Sequence, residues 1–328
     1  MSAPKVIRSA ITGVGGYLPD EKVTNDDLAK FVDTSDAWIQ ERTGIKTRHR
    51  AAPEQGASDL ATEAAKKALA AAGKTAADVD LIIIGTTTPD LTFPSVATMV
   101  QAKLGAPQGI AFDVQAVCSG FVYALGVADG FVARGHSKCA LVIGAETMTR
   151  LMDWEDRGTC VLFGDGAGAV VLEPREGEGT TDDQGLLGFS LQSDGTKKDM
   201  LYVDGGVSTT GTIGKLRMLG HQVFKHAVIN ISDAVFAAAK AADVDVQEVD
   251  WFIPHQANQR ILAGVAHRVG IPESRVISTV ADHANTSAAS IPLALAQGVE
   301  DGRIKPGQLL LMEAMGGGLT WGACVVRL

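Results

Sequence analysis

The same succession of elements is written twice in this chain. Residues 59–80, DLATEAAKKALAAAGKTAADVD, read as an amphipathic helix, a turn and the approach to the apolar run LIIIG. Residues 232–250, SDAVFAAAKAADVDVQEVD, repeat that plan ahead of WFIP. A polar turn and a second helix follow in each half, PSVATMVQAKLG in one and NQRILAGVAHRVG in the other. Then AFDVQAV runs into CSGFVYALGVADGFVARG, and VISTVAD into NTSAASIPLALAQGVEDG, which predicts a strand and a helix in both places. Cys118 stands 38 residues after Asp80, and Asn285 stands 35 after Asp250. Spacing kept this closely predicts an internal duplication, and the alternation of β-branched runs with Ala-rich stretches predicts α/β layering. The polar, Gly-rich stretch 173–183 is the expected join between halves 1–175 and 176–328. Ligands collect beyond the carboxyl ends of strands in open α/β sheets. Pseudo-symmetry therefore brings the junctions at Cys118 and Asn285 together, although 167 residues separate them.

Bulk properties remove several classes. With 37 glycines among 328 residues but no triplet period, and 46% hydrophobic residues, collagen-like and disordered readings fail. A net charge of −9 argues against a nucleic-acid-binding face. No apolar run approaches the length of a membrane span, and MSAPKVIRSAITGVGG lacks the apolar block of a secretory signal, so a cytoplasmic location is expected. The four cysteines form no CxxC pair, which argues against a zinc ribbon or a dithiol redox motif. Cys139, Cys160 and Cys324 lie in apolar runs and read as small buried hydrophobes.

Cys118 has a different setting. It follows a strand-like run and opens an Ala/Gly-rich helix, where first-turn amides and the helix dipole favour a thiolate. An ordinary buried cysteine is the competing reading. His255, in WFIPHQANQRI, sits between a strand and a helix and can offer a neutral nitrogen donor, or be a structural loop histidine. Gln256 and Asn258 could orient it or cap the helix. Asn285 cannot titrate, so its catalytic role would be donation to a carbonyl or an enolate, and its rival role is a helix N-cap. His283 reads as supporting or surface-facing. The run Gly316-Gly317-Gly318 can expose amides to an oxyanion or make a tight turn. FGDGAGAVVLE at 163–173 fits neither phosphate-loop fingerprint and reads as close-packing glycine. Glu146, Asp153, Glu155 and Asp156 read as a solvent-facing or salt-bridged acidic patch. His221 and His226 are not on one helical face, and no HExxH is present, so no metal site is expected.

Taken in order, DAWIQERTGI (36–45), TTTPDLTFPS (86–95), DVQAVCSGF (113–121), DRGTCVLFGDGAGAV (156–170), PHQANQRI (254–261), NTSAASIP (285–292) and GGGLTWG (316–322) resemble the β-ketoacyl-acyl-carrier-protein synthase III family of the thiolase superfamily. The resemblance runs almost from end to end. It implies a duplicated, five-layered αβαβα thiolase-like fold and a homodimer. The substrates it implies are acyl-CoA and malonyl-acyl carrier protein, with no cofactor. Cys118 would carry the acyl group, His255 and Asn285 would form the decarboxylation pair, and the Cys118 and Gly317 amides the oxyanion hole. Trp38 and Arg157 would sandwich the adenine of coenzyme A, with Arg42 assisting. Phe93 would reach across the dimer to limit the partner's acyl pocket, and Lys225 and Arg260 would dock the acidic carrier protein. Two departures stand out: Ala284 where many relatives have Gly, and Met315 where many have Phe. Ala284 predicts a backbone without a glycine-type conformation. Met315 predicts an altered acyl pocket and weakens the inference that acetyl is the preferred primer.

Overall fold

The computed structural model describes residues 5–328. Nine strands build two sheets: β1 Val6–Tyr17, β2 Leu81–Gly85, β3 Ile110–Val114, β4 Ala140–Thr147, β5 Asp165–Gly177, β6 Gly185–Ser193, β7 Trp251–Pro254, β8 Leu309–Gly316 and β9 Thr320–Arg327. Seven helices matter for the site: α1 Asp36–Thr43, α2 Ala57–Ala71, α3 Val96–Leu104, α4 Gly120–Ala133, α5 Gly220–Ala241, α6 Gln259–Val269 and α7 Ser290–Glu300.

The first sheet has the order β1-β5-β4-β2-β3, and the second β7-β8-β9-β6. Within the first, β2 pairs parallel with β3 and β4, while β5 runs antiparallel to β4 and β1. The second repeats this plan, with β7 parallel to β8, and β9 antiparallel to β8 and β6. The expected strand in VISTVAD is reduced to one parallel bridge, Phe252 to Val276. Val280–His283 instead coils into a short helix, because the Gln256 carboxamide oxygen accepts the Thr279 and Val280 N–H groups and turns the chain away from the sheet.

The layering follows from which residues are apolar. β2, LIIIG, is buried on both faces, as a parallel strand covered by helices must be. One apolar cluster joins α2 and α3 to the outer face of the first sheet, and another joins α5 and α6 to the outer face of the second. Between the sheets lie α4 and α7, whose Phe121, Leu125, Ile291 and Leu295 meet Ile83, Val142, Leu310 and Met312. The result is the five-layered αβαβα arrangement of the thiolase-like fold. Gly168 on β5 lets α7 come close, since a Cβ there would lie 2.6 Å from the Pro292 carbonyl carbon. α6 starts where Asn258 Oδ1 accepts the Ile261 N–H at 3.0 Å, and it stops at Gly270 in the left-handed conformation.

Candidate active site

Between β3 and α4 the chain makes a 3₁₀ turn, Val117–Ser119, with Cys118 at its centre. Val117 has φ +49°, an outlier for a β-branched residue, which turns the chain sharply before the cysteine. The last residue of β8, Gly316, lies against this turn. A Cβ on Gly316 would sit 2.6 Å from the Cys118 nitrogen, so glycine is required for the second half to approach the thiol. Neither the Cys118 nor the Gly317 amide is taken up by the turn and cap hydrogen bonds of the described residues.

His255 leaves β7 with its N–H donating to the Glu313 carbonyl at 2.8 Å. Its Nδ1 lies 2.6 Å from Ser290 Oγ, which also accepts the Gln256 N–H at 3.3 Å. A Ser290 hydroxyl that accepts this amide and donates its own proton to Nδ1 leaves the ring hydrogen on Nε2. Burial lowers the imidazole pKa to about 3, so the ring is a neutral N–H donor.

Asn285 is tied to the first half of the chain. Its N–H donates to the Leu162 carbonyl at 2.9 Å, and its carbonyl accepts the Gly164 N–H at 3.1 Å. The side-chain Oδ1 accepts the Ser287 N–H at 2.9 Å, which leaves the Nδ2 hydrogens as donors. The two roles open from sequence thus coincide: the oxygen caps the next turn while the amide nitrogen stays available. Ala284, just before, has φ +58° and ψ −161°, contrary to the expectation of an undemanding backbone. Its N–H still closes the preceding helix onto Val280 while Asn285 is already held by Leu162, and only a glycine-type conformation joins the two. Ala284→Gly is therefore expected to stabilise the protein by about 1 kcal/mol, the relief of strain exceeding the backbone entropy cost. That corresponds to a rise of roughly 2 °C in Tm, read by thermal denaturation. A lower Tm would contradict it.

Cys118, His255, Asn285 and Met315 line one cavity of about 610 Å³, and Trp38, Arg42 and Arg260 line it as well. The exposure of Arg42 and Arg260 puts them at its mouth. Asn258 caps α6, as sequence allowed, and Gln256 braces the loop. Arg42 and Arg157 both stack on Trp38, with guanidinium carbons 4.9 and 5.2 Å from the ring centroid. A ring sandwiched between Trp38 and Arg157 requires roughly 7 Å between them, so Arg157 must swing aside to admit one. It is half-exposed and held to Asp33 by hydrogen bonds of 2.9 and 3.3 Å. Surface cation–π contacts of this kind are worth only about 0.5–1 kcal/mol. Arg260 donates to the Glu41 carbonyl at 3.0 Å, and Lys225 is exposed beside the cavity-lining Phe224. Phe93 stands apart from the cavity with 83% of its surface exposed.

Further expectations are corrected. The Cys118 thiol is not drawn toward a thiolate: burial pushes it up to about 12, the nearby Ser287 side chain lowers it, and the Glu146 charge raises it. The α-helix begins only at Gly120, so Cys118 precedes the first full α-turn, and burial outweighs the dipole. Glu146 is not on a solvent-facing patch. It is fully buried at the end of β4, where Thr88 Oγ1 donates to it at 2.6 Å and Ser287 Oγ at 3.1 Å. Asp153 does pair with Arg217, at 2.7 Å. His283 is buried rather than surface-facing. Sequence reading passed over Ser287, Ser290 and Thr88, although NTSAAS places two of these hydroxyls within five residues of Asn285.

Comparison with known proteins decides the family. The family descriptions 3-oxoacyl-(acyl-carrier-protein) synthase III and its C-terminal part match residues 112–195 and 239–328. A β-ketoacyl-(acyl-carrier-protein) synthase III of Caulobacter vibrioides is 80% identical over 98% of this chain and 100% of its own length. The chain belongs to the β-ketoacyl-acyl-carrier-protein synthase III family. The corresponding synthase III of Hyphomonas neptunium is 60% identical over 98% of this chain and 99% of its own. Among solved structures, the synthase III of Aquifex aeolicus superposes with a TM-score of 0.91 at 46% identity, covering 98% of this chain and 100% of that one. The priming β-ketosynthase of the R1128 polyketide pathway superposes at 0.92 with 34% identity, covering 100% and 98%. Among the described residues no helix is long and apolar enough to cross a membrane.

Proposed function

We propose that Cys118 is the thiol through which this synthase III joins an acyl primer to malonyl-acyl carrier protein by decarboxylative Claisen condensation. The observation that carries the reading is the convergence of Cys118, His255 and Asn285, from both halves of the sequence, on one cavity. Cys118 attacks the thioester of acyl-CoA, and the Cys118 and Gly317 amides stabilise the oxyanion until coenzyme A leaves. Malonyl-acyl carrier protein then enters. Its thioester carbonyl accepts hydrogen bonds from His255 Nε2 and Asn285 Nδ2, which stabilise the enolate formed as carbon dioxide departs. The enolate attacks the acyl-cysteine, giving β-ketoacyl-acyl carrier protein and the free thiol. Both donors are neutral and largely shielded from water, so they act on the developing charge without a competing solvent shell.

In the same reading Trp38, Arg42 and Arg157 hold the nucleotide of coenzyme A, Lys225 and Arg260 dock the acidic carrier protein, and Met315 shapes the acyl pocket. The protein acts as a homodimer. Exposed Phe93 and Leu91, and β3 at the sheet edge with Ile110 exposed, support this. Residues 1–175 supply the nucleophile and 176–328 the two donors. The reaction initiates fatty-acid synthesis. Similarity to a polyketide-priming synthase favours, as a second reading, priming of a specialised product. A panel of acyl-CoA primers, each offered with malonyl-acyl carrier protein or malonyl-CoA and followed by product mass, tests both. Short primers with the carrier-protein extender are expected to turn over best. Preference for an unusual primer would transfer the chain to the second reading, and absence of condensation with every pair would contradict both.

A further inference from the structure

Loading requires Cys118 to lose its proton, and the groups usually nearest to such a thiol do not take it. His255 Nδ1 is occupied by Ser290 at 2.6 Å, and its Nε2 is the donor assigned to the enolate. Asn285 cannot titrate. The Val117–Ser119 turn packs against the turn Ser287–Ala289, which sets the Ser287 side chain close to the thiol. Ser287 holds φ +50° with its N–H fixed on Asn285 Oδ1. From that position its hydroxyl donates to Glu146 Oε1 at 3.1 Å. Glu146 has no exposed surface, and its hydrogen-bond partners among the described residues are all neutral: the hydroxyls of Thr86, Thr87, Thr88 and Ser287 and the Thr87 amide. A buried carboxylate without a cation is costly and calls for a reason.

We propose that Glu146 is the proton acceptor for Cys118 in the loading step, reached through the Ser287 hydroxyl. As sulfur bonds to the thioester carbon, the thiol proton passes to Ser287 Oγ and the Ser287 proton passes to Glu146 Oε1. The departing coenzyme A thiolate takes its proton from solvent. Glu146 holds the stored proton while the acyl-enzyme lasts. When the enolate displaces Cys118 sulfur, that proton returns by the same path to the thiolate. Over the cycle one proton is consumed, as the loss of carbon dioxide from malonyl carboxylate requires.

Burial moves Glu146 up to about 7, with Thr88 and Thr87 pulling it back down, so it is an acceptor matched to neutral pH. Cys118, on the far side of Ser287, is the titratable group whose proton affinity its charge raises. Asp165, on β5 opposite Thr147, is bonded to Thr149 and Ala51, and Asp90, beyond Thr88, is bonded to Ser58. The buried faces of α2, α4, α7 and β2 carry no titratable side chain.

The inference rests on Cys118 being the acylated thiol, and the test separates the two claims. Acyl-enzyme formation from acyl-CoA is followed by rapid quench and intact mass across about pH 5 to 9. In the unaltered protein the rate rises with pH and levels near 7. Glu146→Gln, which keeps the size but cannot take up the proton, should load on the order of 10²- to 10⁴-fold more slowly and lose that rise. Thr88→Val removes the shortest hydrogen bond to the carboxylate, so it raises the carboxylate's proton affinity and should move the midpoint to higher pH. A wild-type profile in Glu146→Gln, or an unmoved midpoint in Thr88→Val, would overturn the relay alone. Failure of the unaltered protein to load Cys118 would overturn the reading beneath it.

Discussion

Cys118→Ser is expected to take up no acyl group from acyl-CoA on the timescale of the unaltered enzyme. The loss expected is on the order of 10⁴- to 10⁶-fold, the range seen when a nucleophile is removed from acyl-transfer machinery whose other parts remain. The serine oxygen occupies nearly the same space, so the oxyanion amides, His255 and Asn285 stay in place and the fold is preserved. What disappears is the polarisable sulfur. An alcohol also gives up its proton far less readily than a thiol, in a cavity where even Cys118 is pushed up to about 12. Intact mass after incubation with acyl-CoA, together with a thermal melt to verify folding, measures the effect. Condensation at a normal rate by this variant would remove Cys118 from the mechanism.

Asn285→Ala should separate the half-reactions. In the proposed mechanism its Nδ2 is one of two donors to the enolate, and loss of one such donor costs about 3–4 kcal/mol at a transition state, or about 10²- to 10³-fold in rate. In the proposed mechanism loading relies on the Cys118 and Gly317 amides instead, so it should fall far less. Asn285→Asp refines the comparison, because the carboxylate still accepts the Ser287 N–H but presents an acceptor where a donor is needed. It should condense no faster than the alanine variant while holding the Ser287 turn. Single-turnover loading and malonyl decarboxylation, measured separately, check both variants. Equal losses in the two steps would mean that Asn285 serves the fold around Ser287 rather than the enolate.

The duplicated architecture was legible because it is carried by local signals: Ala-rich helical spacing, β-branched runs and the near-equal distances from Asp80 to Cys118 and Asp250 to Asn285. The same signals misled at VISTVAD. Its β-branched residues fit a strand, but the Gln256 carboxamide captures the amides of Thr279 and Val280, a tertiary contact with no local mark. Glu146 was misplaced for a similar reason. Acidic neighbours further along suggested surface, whereas its place directly after the apolar run CALVIGA was the better guide. The state of the Cys118 thiol was beyond sequence, because it depends on how fully the cavity walls bury the sulfur. So did Ala284, whose strain arises only because Asn285 is anchored to Leu162, 123 residues earlier in the chain.

Peptide mapping of the unaltered protein after a pulse of labelled acyl-CoA, with a chase of malonyl-acyl carrier protein, tests the whole account most directly. The label should sit on the peptide carrying Cys118 alone, and leave it in the chase as β-ketoacyl-acyl carrier protein. Label on Cys139, Cys160 or Cys324, or label on Cys118 that the chase leaves untouched, would contradict it.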